Sequence, residues 1–308
     1  MTSSTVAADG PADAPAPFRR WQIGNVTVTQ VVEFAPTLPI TFLFPQATRD
    51  VVDANPWLQP DFVDADGNIR MSVHGYVLES EGRRIIVDSG YGNHKHRPFF
   101  QIGHQMDGPF LENLADAGYP RETIDTVICT HLHGDHVGWN TMLVEGEWVP
   151  TFQAARYLFN SEEFAFWSAL QRPDGDDVTF EREQWQIFTD SVGPVAEAGL
   201  VDYIDGRYDV TSEITLEPTP GHSPAHASVR IHSGGEEAWI IGDVAHHPVQ
   251  LARPDWGFSD DDHDAAAATR RALLERLADQ PITVFGSHWA GRNAVRIVRH
   301  GSAFAVAP

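Results

Sequence analysis

Residues 131–136 read "HLHGDH" and follow the apolar run "TIDTVICT". In an extended segment side chains alternate, so His131 and His133 point the same way. Asp135 and His136 follow at the turn into the next element and can address a second point beside the first. Imidazole and carboxylate are donors that zinc accepts at neutral pH. Four donors this close in sequence cannot all wrap one tetrahedral ion, so they anticipate two adjacent ions and further ligands from elsewhere. The competing reading is a polar loop rich in histidine, and the rest of the chain has to decide.

Three further segments each put a metal-binding residue after an apolar strand. "PTPGHSPAH" holds His222 in a tight Pro/Gly turn, "WIIGDVAHH" puts Asp243 directly after a glycine, and "ITVFGSHWAG" places His288 after another apolar run. Any one of them alone would be a weak signal. A strand ending in a lone ligand three times over favours the metal reading.

Positioning these residues requires strands. Strand-like runs lie at 26–34 ("VTVTQVVEF"), 73–79 and 84–88, the last two joined through "SEGR" as a hairpin. A helix is expected over 110–118 with Gly118 as its stop, and the strand "ARYLFN" leads to a helix that Ser161 would cap. A further helix is expected over 181–198 and another over 264–278. Further strands are expected at 214–217, 226–232, 238–242, 282–286, 294–299 and 303–306. Residues 35–70 read as irregular and apolar, which suggests a homodimer interface. Residues 1–18 read as a flexible tail, and 19–308 as a single domain.

The pattern resembles the metallo-β-lactamase fold superfamily, with "HLHGDH", His222, Asp243 and His288 in that family's order from about Val26 to the C-terminus. The resemblance implies an α/β fold, a four-layer αββα sandwich with ligands on loops at one edge of two packed sheets. It also implies two divalent metal ions per chain, zinc first, with manganese, cobalt or iron as alternatives. His131, His133 and His222 would hold one ion, Asp135, His136 and His288 the other, and Asp243 would bridge them. Asp88, in "IIVDSG", would orient a ligand or its loop from behind.

Two such cations lower the pKa of a bridging water, and the resulting hydroxide attacks a carbonyl or phosphoryl centre. Asp135 or Asp243 would pass the proton to the leaving group. The branch resembled most is that of lactonases, esterases and methyl parathion hydrolase-like phosphotriesterases. Acyl-homoserine lactonases often carry a tyrosine three residues after the bridging aspartate, where this chain has His246. His246 either contacts substrate or is a solvent-facing loop histidine. The alternative from another class is a persulfide dioxygenase-like enzyme with one iron, which would leave Asp135, His136 and His288 idle. Phe42, Phe44, Trp57, Phe99, Phe100, Phe164, Phe166 and Trp167 are candidates for an apolar pocket wall.

With 21 Lys and Arg against 43 Asp and Glu, the net charge is −22, which disfavours nucleic acid as a partner. The partner expected is a small molecule. No apolar run has membrane length and no secretory leader is evident, so a cytoplasmic protein is expected. The single Cys129 lies among apolar residues as a buried, inert thiol. His94 and His96 lack any completing donor, "DADGN" at 64–68 is a turn, and the "DDDHD" run at 260–264 provides negative charge at a helix start.

Overall fold

Side-chain alternation along the strands builds the layers. In Val73–Ser80, Tyr76 and Leu78 face one cluster of buried residues while Val77 faces another; in Arg83–Val87, Ile85 and Val87 oppose Ile86 in the same way. A strand apolar on both faces must be covered on both. A computed structural model describes residues 16–175 and 177–308.

One sheet has seven strands, in the order Phe18–Ile23, Val26–Phe34, Val73–Ser80, Arg83–Val87, Thr126–Ile128, Arg156–Asn160 and Val201–Ile204. The other has five, in the order Tyr208–Asp209, Ile214–Pro218, Ala227–Ser233, Glu236–Ile240 and Ile282–Phe285. Between them lies a core to which the first sheet gives Val28, Leu78 and Ile128 and the second Leu216, Val229 and Phe285. Helices Phe110–Asp116 and Phe180–Ile187 cover the outer face of the first sheet through Phe110, Leu114 and Ile187. Helix His263–Leu277 covers the second through Leu273, Leu274 and Leu277. The expected αββα sandwich is present.

Several boundaries differ from expectation. Phe18, assigned to the tail, pairs with Val31 in the outermost strand of the large sheet; residues 1–15 lie outside the described residues. The helix expected over 181–198 begins at Phe180 and passes through a π turn, Phe188–Val192, before Gly193–Glu197. Asn160, not Ser161, caps Ser161–Ser168, its side chain accepting from the Glu162 and Glu163 amides. The segment 35–70 contains the strand pair Thr37–Pro39 and Asn68–Arg70. Its apolar residues Leu43, Phe44, Val52, Leu58, Phe62 and Ile69 are buried against the chain's own helix and sheet. That packing accounts for the apolar content which suggested a subunit interface. Among the described residues no helix is long and apolar enough to cross a membrane.

Parallel pairing sets up the functional edge. Arg83–Val87 runs parallel to Thr126–Ile128 with Val87 opposite Ile128, and Glu236–Ile240 runs parallel to Ile282–Phe285 with Ile240 opposite Phe285. The segments leaving these four strands therefore emerge side by side, carrying Asp88, His131, Asp243 and His288.

Candidate metal centre

The structure brings all seven predicted ligands into one cluster, buried except for the half-buried Asp135. The strand Thr126–Ile128 ends just before His131, and His133 precedes the short helix Gly134–Val137, which presents Asp135 and His136 on one turn. Nε2 of His131 lies 3.0 Å from Nδ1 of His133, which lies 3.0 Å from Nε2 of His222. Beside this trio, Nε2 of His288 is 3.2 Å from Nε2 of His136 and 3.4 Å from Oδ2 of Asp135. Asp243 faces both groups, its Oδ2 lying 3.3 Å from His136 and 3.5 Å from His222 and its Oδ1 3.2 Å from His288.

The outer nitrogens fix the tautomers. Nδ1 of His136 donates to Asp88 Oδ2 at 2.9 Å, Nδ1 of His222 to Asp260 Oδ1 at 3.0 Å, and Nδ1 of His288 to the Ser72 carbonyl at 3.3 Å. With Nδ1 engaged in this way, each ring turns its Nε2 inward as the nitrogen available to a cation. Thr130 Oγ1 donates to Asp88 at 2.9 Å and so accepts from Nδ1 of His131 at 3.1 Å, with the same result. Lone pairs converging on a buried carboxylate, whose Oδ1 has no hydrogen bond, match the donor chemistry of divalent cations.

The electrostatics agree. Burial and crowding by neighbouring imidazoles hold His131 and His222 well below the ordinary histidine range, and His133 at about 4, so all three are neutral donors. Burial opposes ionisation of Asp243, but His288, His136 and His246 hold its carboxyl well below the usual carboxylate range. Burial likewise opposes protonation of His136 and His288, yet the surrounding carboxylates raise both. The second group thus favours positive charge at its centre.

Asp88 joins His136 to the Thr130 amide, which donates to Asp88 Oδ1 at 2.8 Å. His246 is 4 % exposed, so it is not a solvent-facing loop residue; its Nε2 lies 3.2 Å from Asp243 Oδ2. Cys129 is buried, and burial pushes its thiol far above the usual range.

Three supporting residues went unrecognised in the sequence. Asp260, read only as helix-start charge, has its side chain buried behind His222. Glu163 accepts from the Leu132 and Ala225 amides, Ser223 Oγ and Trp167 Nε1, tying the "HLHGDH" loop to the His222 turn. His226, held neutral by burial at about 4, accepts from the Asp243 amide at 3.0 Å. A Cβ on Gly242 would come within 2.4 Å of that His226 nitrogen, which explains the glycine before Asp243. The one available signal was "AHA" within "PGHSPAHAS", a second histidine after the first.

A cleft opens onto the cluster, walled by Phe34, Leu38, Phe42, Leu43, Phe100, Ile102 and Phe258. Of the eight aromatics nominated from sequence, only Phe42 and Phe100 line it. Phe44 and Trp57 pack into the core, Trp167 sets its ring against His133, Phe164 contacts Phe159 and Tyr203, and Phe99 and Phe166 are exposed.

A mixed αββα sandwich with a His/Asp cluster at one edge defines a class, and comparison with known proteins agrees. The sequence pattern of the Metallo-beta-lactamase superfamily matches residues 69–288, and the chain belongs to that superfamily. The expectation of a metal-dependent hydrolase holds at that level. An N-acyl homoserine lactonase of Bacillus cereus is 24% identical over 233 residues, 71% of this chain and 83% of the relative. A probable metallo-hydrolase of Mycobacterium tuberculosis is 23% identical over 252 residues, covering 77% and 76%. Among solved structures, AidC, a dizinc quorum-quenching lactonase in complex with a product, superposes with a TM-score of 0.77 at 23% identity, covering 96% of this chain and 98% of that one. The hydrolase AbOPH, of the β-lactamase superfamily, gives 0.75 at 23% identity with the same coverage.

Proposed function

We propose that this chain is a binuclear metal-dependent lactonase acting on a lactone with an apolar substituent. The observation that carries the reading is the placement of Asp243 between two groups of inward-turned donors. His131, His133 and His222 would hold one divalent ion and Asp135, His136 and His288 the other, with Asp243 shared. When bound, such a pair supplies a water-derived nucleophile at neutral pH and neutralises charge on the carbonyl and leaving oxygens.

The chain's residues do the remainder. The apolar wall excludes water and receives the substituent. His246, beside Asp243 and lining the cleft, contacts the lactone carbonyl or its leaving oxygen. Asp135, whose side chain is 24% exposed against 3% for Asp243, faces the cleft and carries the proton. Water oxygen bonds to the carbonyl carbon, the ring C–O bond breaks, and the water proton passes through the Asp135 carboxylate to the departing alkoxide. The one-iron alternative gives Asp135, His136 and His288 no role, although they converge as closely as the first trio.

Initial rates of the metal-loaded protein on N-acyl homoserine lactones of varied chain length, aryl esters and an aryl phosphotriester test this. Lactone opening with the highest kcat/KM supports the reading. Faster turnover of the aryl ester or phosphotriester, with slow lactone opening, replaces it by the esterase or phosphotriesterase branch.

A further inference from the structure

The cleft wall contains a polar break that the chemistry above does not use. Arg97 is fully buried and spends its outer nitrogens on Asp190, Nη1 at 2.8 Å from Oδ2 and Nη2 at 2.7 Å from Oδ1. Its Nε is left buried with no partner among the described residues. Gln184, 4 % exposed, also leaves its side-chain oxygen unpartnered. Both residues line the cleft. A buried N–H and a buried amide oxygen without partners are costly, and such groups call for a specific explanation.

Their place relative to the metal ligands is defined by Gly134, which lies between His133 and Asp135. A Cβ built on Gly134 would lie 3.6 Å from Arg97 Nε and 2.9 Å from Ile187 Cδ1. Gln184 and Ile187 are three residues apart on helix Phe180–Ile187, so they share one face. Arg97 Nε and the helix face that carries Gln184 therefore lie next to the loop that carries two of the ligands. Phe100 and Ile102 make the surrounding wall apolar.

We propose that Arg97 and Gln184 form a subsite for a secondary amide attached to the lactone ring beside its carbonyl. This rests on the lactonase reading. Arg97 Nε–H donates to the amide carbonyl, and Gln184 Oε1 accepts from the amide N–H, so one donor and one acceptor meet their complements. In an N-acyl homoserine lactone the amide nitrogen is bonded to the ring carbon adjacent to the carbonyl carbon. When that carbonyl lies at the ligand cluster, the amide falls beside His133–Asp135, where Arg97 Nε is found. The acyl chain then continues along the apolar wall. The pair selects acylamino lactones over lactones with a bare alkyl chain, because an amide-free chain leaves both buried groups unpaired.

The test compares N-hexanoyl homoserine lactone with α-heptyl-γ-butyrolactone, which keeps ring and chain length but lacks the amide, in wild type, Gln184→Leu and Arg97→Lys. Arg97→Lys keeps a cation for Asp190 while removing the Nε donor, and it provides a second route should Gln184→Leu fold poorly. The readout is the ratio of the two kcat/KM values. The ratio is expected to favour the amide in the wild type and to fall about tenfold or more in either folded variant. A ratio unchanged within about twofold, in a folded variant that still opens lactones, overturns the subsite alone. A metal-loaded wild type that opens neither lactone overturns the lactonase reading, and the subsite's ligand with it.

Discussion

Asp260 Oδ1 accepts the Nδ1 proton of His222 at 3.0 Å, although the two residues are 38 positions apart. The contact turns Nε2 of His222 toward Asp243, and Arg270 Nη2 lies 3.7 Å from the other carboxylate oxygen. Asp260→Ala should lower metal affinity by about 10–100-fold, since removing a carboxylate that orients a histidine has that order of effect. Titration with a competing chelator reads the affinity, and retention of the circular dichroism spectrum separates it from unfolding. Unchanged affinity would mean that Asp260 serves only to hold Arg270 of helix His263–Leu277.

His133 is the donor with the fewest ties, because its outer Nε2 has no partner. His133→Ala should lose one metal equivalent and nearly all activity while keeping the fold. Metal analysis beside a melting curve checks this, and full activity in the variant would refute the ligand assignment.

The fold was legible wherever a strand's own alternation carried it: Val26–Phe34 lies where its pattern put it. The candidate ligands were legible because the segments that carry them follow apolar strands, a local signal. Asp260 and Glu163 were not, since nothing near either in sequence shows that the partner is His222 or the Leu132 amide. The same holds for the cleft wall. Phe42 and Phe44 are near neighbours in one irregular segment, yet one lines the cleft and the other is core. Only the packing of 35–70 on the small sheet decides between them.

Glu163 is 1% exposed and receives four donors. Glu163→Ala leaves the Leu132 and Ala225 amides buried without an acceptor. The expected loss is about 3 kcal/mol, equivalent to a melting temperature lower by about 5 °C. Thermal unfolding monitored by circular dichroism tests this; a shift below about 2 °C would show that another acceptor takes over.

Glu33 supplies a pH signature away from the ligands. It is buried and accepts from the Tyr91 and Gly92 amides at 2.7 and 2.9 Å and from Trp139 Nε1 at 2.7 Å. Burial pushes its carboxyl up from 4.5 to about 7, against the lowering effect of those three donors. A carboxyl raised on folding contributes stability below its unfolded value, lost as pH rises through the folded one. Relative to Glu33→Gln, the wild type should therefore lose stability between pH 4.5 and about 7 and change little above that. Melting temperatures of both proteins at several pH values decide; a difference that does not vary with pH would place Glu33 as a carboxylate throughout.

Metal stoichiometry tests the binuclear centre most directly. Plasma mass spectrometry of the protein, reconstituted with zinc, manganese or cobalt and freed of excess, should give two divalent ions per chain. Asp243→Ala should lower that number and abolish lactone opening. Saturation at a single ion, or a single tightly held iron in the protein as purified, would contradict a shared Asp243 and favour the mononuclear redox reading.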